Sequence, residues 1–368
     1  MSDPVIRFAE SDEDRERAFR LRYQVYNTEL SVFSRAADHD RGRSVDPADE
    51  FADLLLAEVD GDLVGTMQLN LGGKTPLLDA FEEKFSISHF LDAVPWERCG
   101  IQGRFAVNPE QRKGPVPFLL MRESARFGLE HKIELSFVRG LPHLCRVYMS
   151  LGFRPYRRLY DDPEEGVTPP LVNIVRDIEH HRAISSPLLQ FGLGLEEDGT
   201  SELAERARRL LPASAPVRLP EDIGFDRIFE TLDDAPGASP FDGLSAEEAA
   251  ELMAGGLVYE LAAGDRLMRR GQGMYGIYVV LGGGLEAISG ETAVRGMGPG
   301  EVVGEVAYTL RDTSRTMDVV AAEGGARVLC LSDSAIRKVE RREDHVALGF
   351  HRNLSKTMAE RLASPPNG

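Results

Sequence analysis

The chain has 368 residues, which is enough for two or three domains. Its 43 Lys and Arg residues against 60 Asp and Glu residues give a net charge of −17. This charge repels phosphate backbones, so the composition disfavours a nucleic acid partner.

The sequence shows no pattern typical of a signal peptide, a membrane span, a disulfide framework or a metal site. The charged N-terminus has no apolar signal core, and no run approaches the roughly 18 apolar residues of a membrane span. The three cysteines, Cys99, Cys145 and Cys330, have neither disulfide nor metal-ligand spacing. We therefore expect reduced thiols in a cytoplasmic protein, with no metal site.

Residues 1–184 carry the alternating helix and strand patterns of a first domain. SDEDRERAFRLRYQVYNTEL predicts a helix with a cap-like Ser11, and DLLLAEVDGDLVGTMQLNL predicts two strands joined at Asp60–Gly61. A strand, a Gly/Pro loop, an apolar helix, a strand, a helix ending at Gly152 and a last strand follow. This order predicts an α/β (α+β) domain, in which a mixed sheet is connected by crossover helices.

A V-x-P-x-x-R-x-G pattern runs from Val107 to Gly114, and a Y-x-x-x-G-F motif runs from Tyr148 to Phe153. These two motifs resemble those of the GCN5-related N-acyltransferase superfamily. Within the superfamily, RLRYQVYNTEL, the DPAD pair and GRFAVNPEQR look more like N-acyl amino acid synthases and acyl-homoserine-lactone synthases. The resemblance implies transfer of an acyl group to an amine acceptor.

The resemblance also gives individual residues candidate catalytic roles. Tyr148 corresponds to the acid that protonates the leaving thiolate, although a Tyr before GF is also a packing residue. Arg104 is retained on its strand, but Gln102 stands before it where the synthases carry an acid, and glutamine cannot act as a base. Glu29 is a remaining acid, suited to catalysis or to solvation.

Three further residues are candidates for binding the acceptor. Asp46 and Asp49 form the DPAD pair and would position an amine. Arg22 serves either structure or binding of a substrate carboxylate. The acceptor-binding candidates are therefore Arg22, Asp46 and Asp49.

The loop before the apolar helix bears on the acyl donor. Acyl-CoA transferases of this fold hold the donor pyrophosphate with loop N–H groups, and Pro115 and Pro117 remove two such donors, although Pro can also simply begin a helix. We therefore expect acyl carrier protein, whose pantetheine arm lacks the pyrophosphate, more than acyl-CoA. The basic pair in the loop, Arg112 and Lys113, either binds a phosphopantetheine phosphate or an acidic carrier surface, or is simply solvated. The donor-binding candidates are Phe105, Val107, Arg112, Lys113 and Gly114.

Residues 185–236 are rich in Pro, Gly, Ala and Ser. We expect a connector with one short helix at 200–211 and little core of its own. Beyond it, GIYVV (276–280) and ARVLCLS (326–332) predict strands of a second domain.

Between these two strands, GEVVGEVAYTLRDTSRT (300–316) holds Glu305 in an apolar run and Arg315 ten positions later. One interpretation is an ion pair that closes a hairpin. The other is a small anionic ligand with hydroxyl groups. A carboxylate accepts a hydroxyl, a guanidinium fork binds phosphate, and backbone N–H groups beside a glycine add donors.

The stretch from Phe241 to Leu362 resembles the cyclic nucleotide-binding domain of bacterial regulators and cyclic-nucleotide-dependent kinases. PFDGLSAEEAAEL matches its first helix, and PGEVVGEVAYTLRDTSRTMDVVA matches its phosphate-binding cassette. The resemblance implies a jelly-roll-like β-roll at 237–345 with flanking helices. It also implies a regulatory ligand, cAMP or cGMP, with cAMP favoured.

The cassette residues take roles from the same resemblance. Glu305 would accept the ribose hydroxyl, and Arg315 would bind the cyclic phosphate. Backbone groups and one further hydroxyl complete the candidate nucleotide site: Gly304, Val306, Ala307 and Thr316.

The apolar residues of 346–368 recur every four positions, which predicts a helix with one apolar stripe. The stripe comprises Val346, Phe350, Leu354, Met358 and Leu362. Such a helix either docks on the β-roll or acts as a mobile lid or hinge. The bacterial regulators place a DNA-reading helix-turn-helix here, and no room remains for one.

These features together favour a cyclic-nucleotide-regulated N-acyltransferase. The alternatives are a cAMP-regulated protein lysine acetyltransferase and a catalytically inactive module that responds to the nucleotide. The acyl chain, the acceptor, the sign of regulation and the oligomeric state stay open.

Overall fold

The computed structural model describes residues 3–29, 37–140, 142–162, 166–195, 199–235, 239–271, 276–290, 292–310, 314–342 and 345–363. The expected domain boundary at 236–237 and the tail 364–368 lie outside these residues. The chain divides into two compact units, each assembled from separate parts of the sequence. The first unit is Met1–Arg139, Tyr148–Arg157 and Pro170–Ala213, and the second is Gly140–Val147, Arg158–Pro169 and Ser214–Gly368.

Strands and helices are numbered in chain order. The strands are β1 Val5–Phe8, β2 Ala37–Asp38, β3 Arg43–Ser44, β4 Asp53–Val59, β5 Asp62–Leu71, β6 Cys99–Val107, β7 Leu135–Arg139, β8 Arg154–Pro155, β9 Tyr160–Asp162, β10 Gly166–Thr168, β11 Pro170–Ile174, β12 Val217–Arg218, β13 Leu257–Leu261, β14 Arg266–Met268, β15 Gly276–Ser289, β16 Thr292–Met297, β17 Val302–Val303 and β18 Asp318–Ser332. The α-helices are α1 Asp12–Tyr23, α2 Leu78–Phe85, α3 Ser88–Leu91, α4 Val116–Glu130, α5 Pro142–Leu151, α6 Ile178–Ala183, α7 Pro187–Gln190, α8 Glu202–Arg208, α9 Pro220–Ile223, α10 Phe225–Asp233, α11 Ala246–Met253, α12 Glu305–Leu310, α13 Asp333–Glu340 and α14 His345–Ala363. The described residues also contain a π-helix (Gln24–Glu29) and three 3-10 helices (Pro47–Phe51, Trp96–Arg98 and Pro109–Gln111).

A seven-stranded mixed sheet in the order β1-β4-β5-β6-β7-β11-β8 forms the centre of the first unit. Neighbouring strands are antiparallel except β6 and β7, which are parallel. The predicted hairpin is present, and Asp60 and Gly61 both have positive φ, as a tight two-residue turn requires. The expected mixed α/β sheet is confirmed.

Part of the expected connector belongs to the core of the first unit. Ala204 and Ala207 of α8 are fully buried in an apolar cluster that also contains Phe137 and Ile174. Their small side chains let the helix backbone approach the sheet closely, so a composition typical of a linker conceals a packing surface. The segment therefore contributes more core than its composition indicates.

The second unit contains an antiparallel sheet in the order β12-β13-β18-β15-β16, with β14 on β18 and β17 on β15. This arrangement confirms the expected antiparallel β domain with flanking helices. The helix α14 packs Val346, Phe350 and Leu354 into its core. Leu362, in contrast, is 88% exposed, so the apolar stripe docks along only part of its length. None of the helices in the described part of the chain is long and apolar enough to cross a membrane.

Candidate functional sites

The two residues predicted to share a nucleotide, Glu305 and Arg315, are each only 4% exposed. Glu305 begins α12, and the guanidinium of Arg315 lies 5.8 Å from the ring centroid of Tyr278. Arg315 also donates hydrogen bonds to the carbonyl oxygens of Gly304 (2.9 Å) and Gly276 (2.5 Å). These bonds fix the plane of the guanidinium within a largely buried site.

Gly304 must be glycine for two reasons. Its φ of +86° lies in the left-handed region that side chains disfavour. In addition, a Cβ at this position would stand 2.1 Å from Nη1 of Arg315. Only a residue without a side chain lets the guanidinium of Arg315 approach the backbone of residue 304 this closely.

The remaining cassette candidates differ in exposure. Val306 is partly exposed, Ala307 is buried, and Thr316 is exposed. Residues 311–313 of the cassette lie outside the described residues. The hydroxyl of Thr316 is thus reachable from solvent, whereas Ala307 offers only its backbone.

A second arginine, which sequence reasoning missed, contacts the cassette. Arg361 of α14 donates from Nη1 to the carboxylate of Glu305 and from Nη2 to the carbonyl oxygen of Val302. The side chains of both partners are largely buried. The carboxylate that would accept a ribose hydroxyl is therefore already bound to the C-terminal helix.

We expect Arg361→Ala to raise the affinity for cyclic nucleotide by about fivefold or more, because a largely buried ion pair no longer competes for Glu305. Calorimetric titration of cAMP into the full chain measures the change. Lys356→Ala is the matched control, since it removes a cation from the same helix that pairs with Glu360. Weaker binding by Arg361→Ala would instead make Arg361 a supporting part of the nucleotide site.

The candidate acyl-transfer residues of the first unit centre on an irregular stretch of β6. The pairing of β5 with β6 shifts register between Thr66 and Gln68, which places a bulge at Arg104–Phe105. Arg104 has a φ of +49°, a conformation that L-residues rarely adopt. The bulge re-aims the side chain of Arg104.

Arg104 binds Asp46 through Nε (3.0 Å) and Nη2 (2.5 Å). Burial alone would raise the pKa of Asp46, but the charge of Arg104 and the N–H of Ala48 hold that pKa below its ordinary value. Asp46 is therefore ionised at neutral pH. A carboxylate of this kind positions an amine better than it removes a proton from one.

Asp49 and Arg22 form a buried pair beside Asp46. Arg22 is fully buried and donates from Nη1 to both carboxylate oxygens of Asp49, each at 2.8 Å. Asp49 also accepts from Gln68 (2.7 Å) and from the N–H of Asp46 (2.7 Å). These four bonds hold the DPAD turn in place, and they favour the structural interpretation of Arg22.

Glu29 and Arg112, which sequence reasoning assigned to different roles, bind each other. Their carboxylate and guanidinium make two bonds of 2.5 Å, and Nε of Arg112 donates to the carbonyl oxygen of Val107. Lys113 and Gly114 are exposed in the following loop. Pro117 lies in the first turn of α4, so this proline also fits a helix start.

An apolar pocket lies beside the point where β6 and β7 separate. The two strands pair only as far as Ile101 with Phe137. Next along the chain, the Gln102 side-chain amide donates to the hydroxyl of Ser136 at 2.8 Å. The pocket is lined mainly by apolar side chains, with Gln102, Ser136 and the buried Tyr148 among its polar residues.

A buried polar cluster surrounds the adjacent histidines His180 and His181. His181 is fully buried, and its ring would collide with a Cβ at residue 152, which explains Gly152. Burial, followed by the nearby charge of Arg154, lowers the pKa of His180 to about 4. Arg154 also pairs with the buried Asp177 at 2.9 Å. No spacing in the sequence indicated this cluster.

Two segments of the chain match known family models. Residues 21–122 match the family model of the acetyltransferase (GNAT) domain, and residues 258–343 match that of the cyclic nucleotide-binding domain. The chain thus contains one segment that matches the GNAT domain model and another that matches the cyclic nucleotide-binding domain model. Both resemblances drawn from the sequence motifs are confirmed.

Similar solved structures include both acyl-homoserine lactone synthases and cyclic nucleotide-binding domains. One is the CoA-dependent acyl-homoserine lactone synthase BjaI with MTA (18% identity, 56% of this chain and 100% of that chain, TM-score 0.37). Another is the CoA-dependent acyl-homoserine lactone synthase MesI (20% identity, 49% and 95%, TM-score 0.37). A third is a cyclic nucleotide-binding domain from Methylobacillus flagellatus KT (17% identity, 40% and 84%, TM-score 0.35). A search of curated proteins found no match.

Proposed function

We propose that this protein transfers an acyl group from a thioester donor to an amine of an amino acid-like acceptor, under control of a cyclic nucleotide. One observation carries the proposal: Tyr148, which follows the GNAT-matched segment 21–122 in the chain, lines an apolar pocket beside the separating strands β6 and β7. The opening between the strands suits a thioester, and the pocket suits an acyl chain.

In the catalytic step the amine attacks the thioester carbonyl to form an amide bond, its nitrogen gives up one proton to solvent, and the C–S bond breaks. The leaving thiolate takes up a proton. Tyr148 is the proposed donor of that proton, since it lines the pocket that would receive the acyl chain. Asp46, ionised and held by Arg104, is the proposed anchor for the acceptor amine.

The acceptor site would lie near the Asp46–Arg104 pair, which is mostly but not fully buried. Arg22 and Asp49 would stabilise this site rather than bind the substrate, because they form an ion pair with each other. A substrate carboxylate would therefore meet Arg104 before it could meet Arg22.

Acyl carrier protein is the proposed donor, with acyl-CoA as the alternative. Pro115 and Pro117 carry no N–H for a pyrophosphate, and Arg112 is already engaged by Glu29. The exposed Lys113 beside this pair suits an acidic carrier surface. Phe105, Val107 and Gly114 would line the path of the pantetheine arm.

Cyclic nucleotide binding by the second domain is proposed to regulate the transfer, with cAMP favoured over cGMP. Glu305 and Arg315 would bind the ribose and the phosphate, aided by the backbone of Gly304, Val306 and Ala307 and by the hydroxyl of Thr316. The cytoplasm is the proposed compartment, and it fits three buried, reduced cysteines.

The test measures kcat/KM for amine acylation with long-chain acyl carrier protein and with acetyl-CoA as donors, with and without cAMP. Products are identified by mass spectrometry. We expect the carrier protein to be the better donor and cAMP to change the rate. Efficient use of acetyl-CoA on protein lysines would support the lysine acetyltransferase instead, and nucleotide binding without any acyl transfer would indicate an inactive module.

A further inference from the structure

The chain passes between its two compact units five times, after residues 139, 147, 157, 169 and 213. One of these passages falls inside α5. The helix begins in the second unit and ends in the first, because Val147 belongs to one and Tyr148 to the other. A helix is a stiff element, so displacement of its first turn is carried to its last.

A second passage produces a small arm. Strands β8 and β11 of the first unit pair directly, at Pro155 with Leu171. The chain between them leaves that sheet and forms the pair β9 and β10, which belongs to the second unit. We call these two strands, Tyr160–Asp162 and Gly166–Thr168, the β9–β10 arm.

The arm is fastened by a carboxylate. Asp161 accepts from Nε (2.9 Å) and Nη2 (2.5 Å) of Arg269, and Nε of Arg266 lies 3.4 Å from it. The pKa of Arg269 is raised, chiefly by its hydrogen bond to Asp161. The pair is bidentate and about two-thirds buried, so it is geometrically fixed.

The segment that contains Arg266 and Arg269 also contacts the backbone of Arg315, the proposed phosphate-binding residue. The N–H of Gly271 donates to the carbonyl oxygen of Arg315 at 2.8 Å. The N–H of Arg270 donates to the carboxylate of Asp318, which also pairs with Arg266 at 3.0 Å. A run of six residues, 266–271, therefore contacts Asp161 at one place and the end of the cassette at another.

The first turns of α5, which belong to the second unit, bind other residues of that unit. Arg146 binds Glu221 through two nitrogens and donates to the carbonyl oxygen of Gly256. Cys145 is fully buried and donates to the carbonyl oxygen of Gly140. Tyr148, the proposed proton donor, follows one turn later.

We propose that the β9–β10 arm and α5 transmit nucleotide occupancy at Arg315 to Tyr148, through the contacts of residues 266–271 with Asp161. This inference rests on the proposed function. Binding of a cyclic phosphate at Arg315 shifts the backbone that Gly271 holds, residues 266–271 move with it, and the Asp161 pair moves the arm. The arm and α5 then change the position of Tyr148 and of the strand ends beside it.

Hydrogen exchange in the full chain tests the route. Exchange of amides in 142–157 is measured with and without saturating cAMP, for the wild type, Asp161→Asn, Asp161→Glu and Arg327→Gln. Arg327 pairs with Glu260 in the same unit and contacts neither the arm nor the cassette in the described residues, so it is the matched control. Calorimetry on each variant measures the affinity for cAMP, and thermal unfolding confirms the fold.

We expect cAMP to change exchange rates in 142–157 of the wild type by about fivefold or more. Asp161→Asn should reduce this change to less than about twofold while its cAMP affinity stays within about threefold of the wild type. Asp161→Glu, which keeps the charge, should recover part of the response, and Arg327→Gln should respond like the wild type.

Two results would overturn the inference while the proposed function stands. One is a wild type that binds cAMP, with its acyl-transfer rate altered, but shows no change in 142–157. The other is Asp161→Asn responding as fully as the wild type. If the chain binds neither cAMP nor cGMP, the proposed regulation fails and this inference falls with it.

Discussion

Arg315→Ala is expected to weaken cyclic nucleotide binding by roughly 30- to 5,000-fold, the equivalent of about 2–5 kcal/mol for the loss of a buried charge-assisted contact. The cyclic phosphate loses its planar, bidentate partner in a site where the guanidinium is only 4% exposed. Calorimetric titration of cAMP and cGMP into the full chain measures the loss.

Two controls separate binding from stability. Alanine also removes the bonds from Arg315 to the carbonyl oxygens of Gly304 and Gly276, so the midpoint of thermal unfolding is measured in parallel. Arg315→Lys keeps a positive charge without the fork, and it should bind with intermediate affinity. A folded Arg315→Ala variant with unchanged affinity for both nucleotides would end the assignment of this cassette.

Tyr148→Phe is expected to lower kcat for acyl transfer by about 10²–10⁴-fold, because the leaving thiolate no longer receives its proton from a positioned acid. The ring stays, and with it the edge contact to Phe153 at 5.5 Å, so KM for the donor should change little. Steady-state kinetics with the preferred acyl donor measures both constants.

Tyr156→Phe is the matched control. Tyr156 is as deeply buried as Tyr148, but its hydroxyl donates to the carbonyl oxygen of Phe85 and does not line the pocket. Its variant should lose stability and keep kcat. If Tyr148→Phe retains kcat within about twofold, the assignment of the tyrosine as the acid is wrong.

Local patterns predicted the parts of the molecule whose causes are local. The Asp60–Gly61 hairpin follows from a turn that needs positive φ at two successive residues. The buried environment of Glu305 follows from the apolar run around it. In each case, the residues that determine the structure are neighbours in the chain.

Contacts between distant parts of the chain left no such pattern. Nothing near Arg361 indicates that it pairs with Glu305, because the two are 56 residues apart and α14 brings them together. The pairing of Glu29 with Arg112 depends in the same way on how the π-helix after α1 and the loop after β6 come together. Ala204 and Ala207 made the segment look like a linker, because small side chains are common in linkers. A helix that packs closely against a sheet needs small side chains as well.

The pairing of the β9–β10 arm with Arg269 has a consequence for how the protein is made. Asp161 and Arg269 are 108 residues apart. At a synthesis rate of roughly 5–20 residues per second, about 5–20 seconds separate their emergence from the ribosome. During that interval the strand ends β8 and β11 can pair while the arm between them still lacks its partner. A fragment that ends at residue 184 or 237 would therefore keep the arm without Arg269.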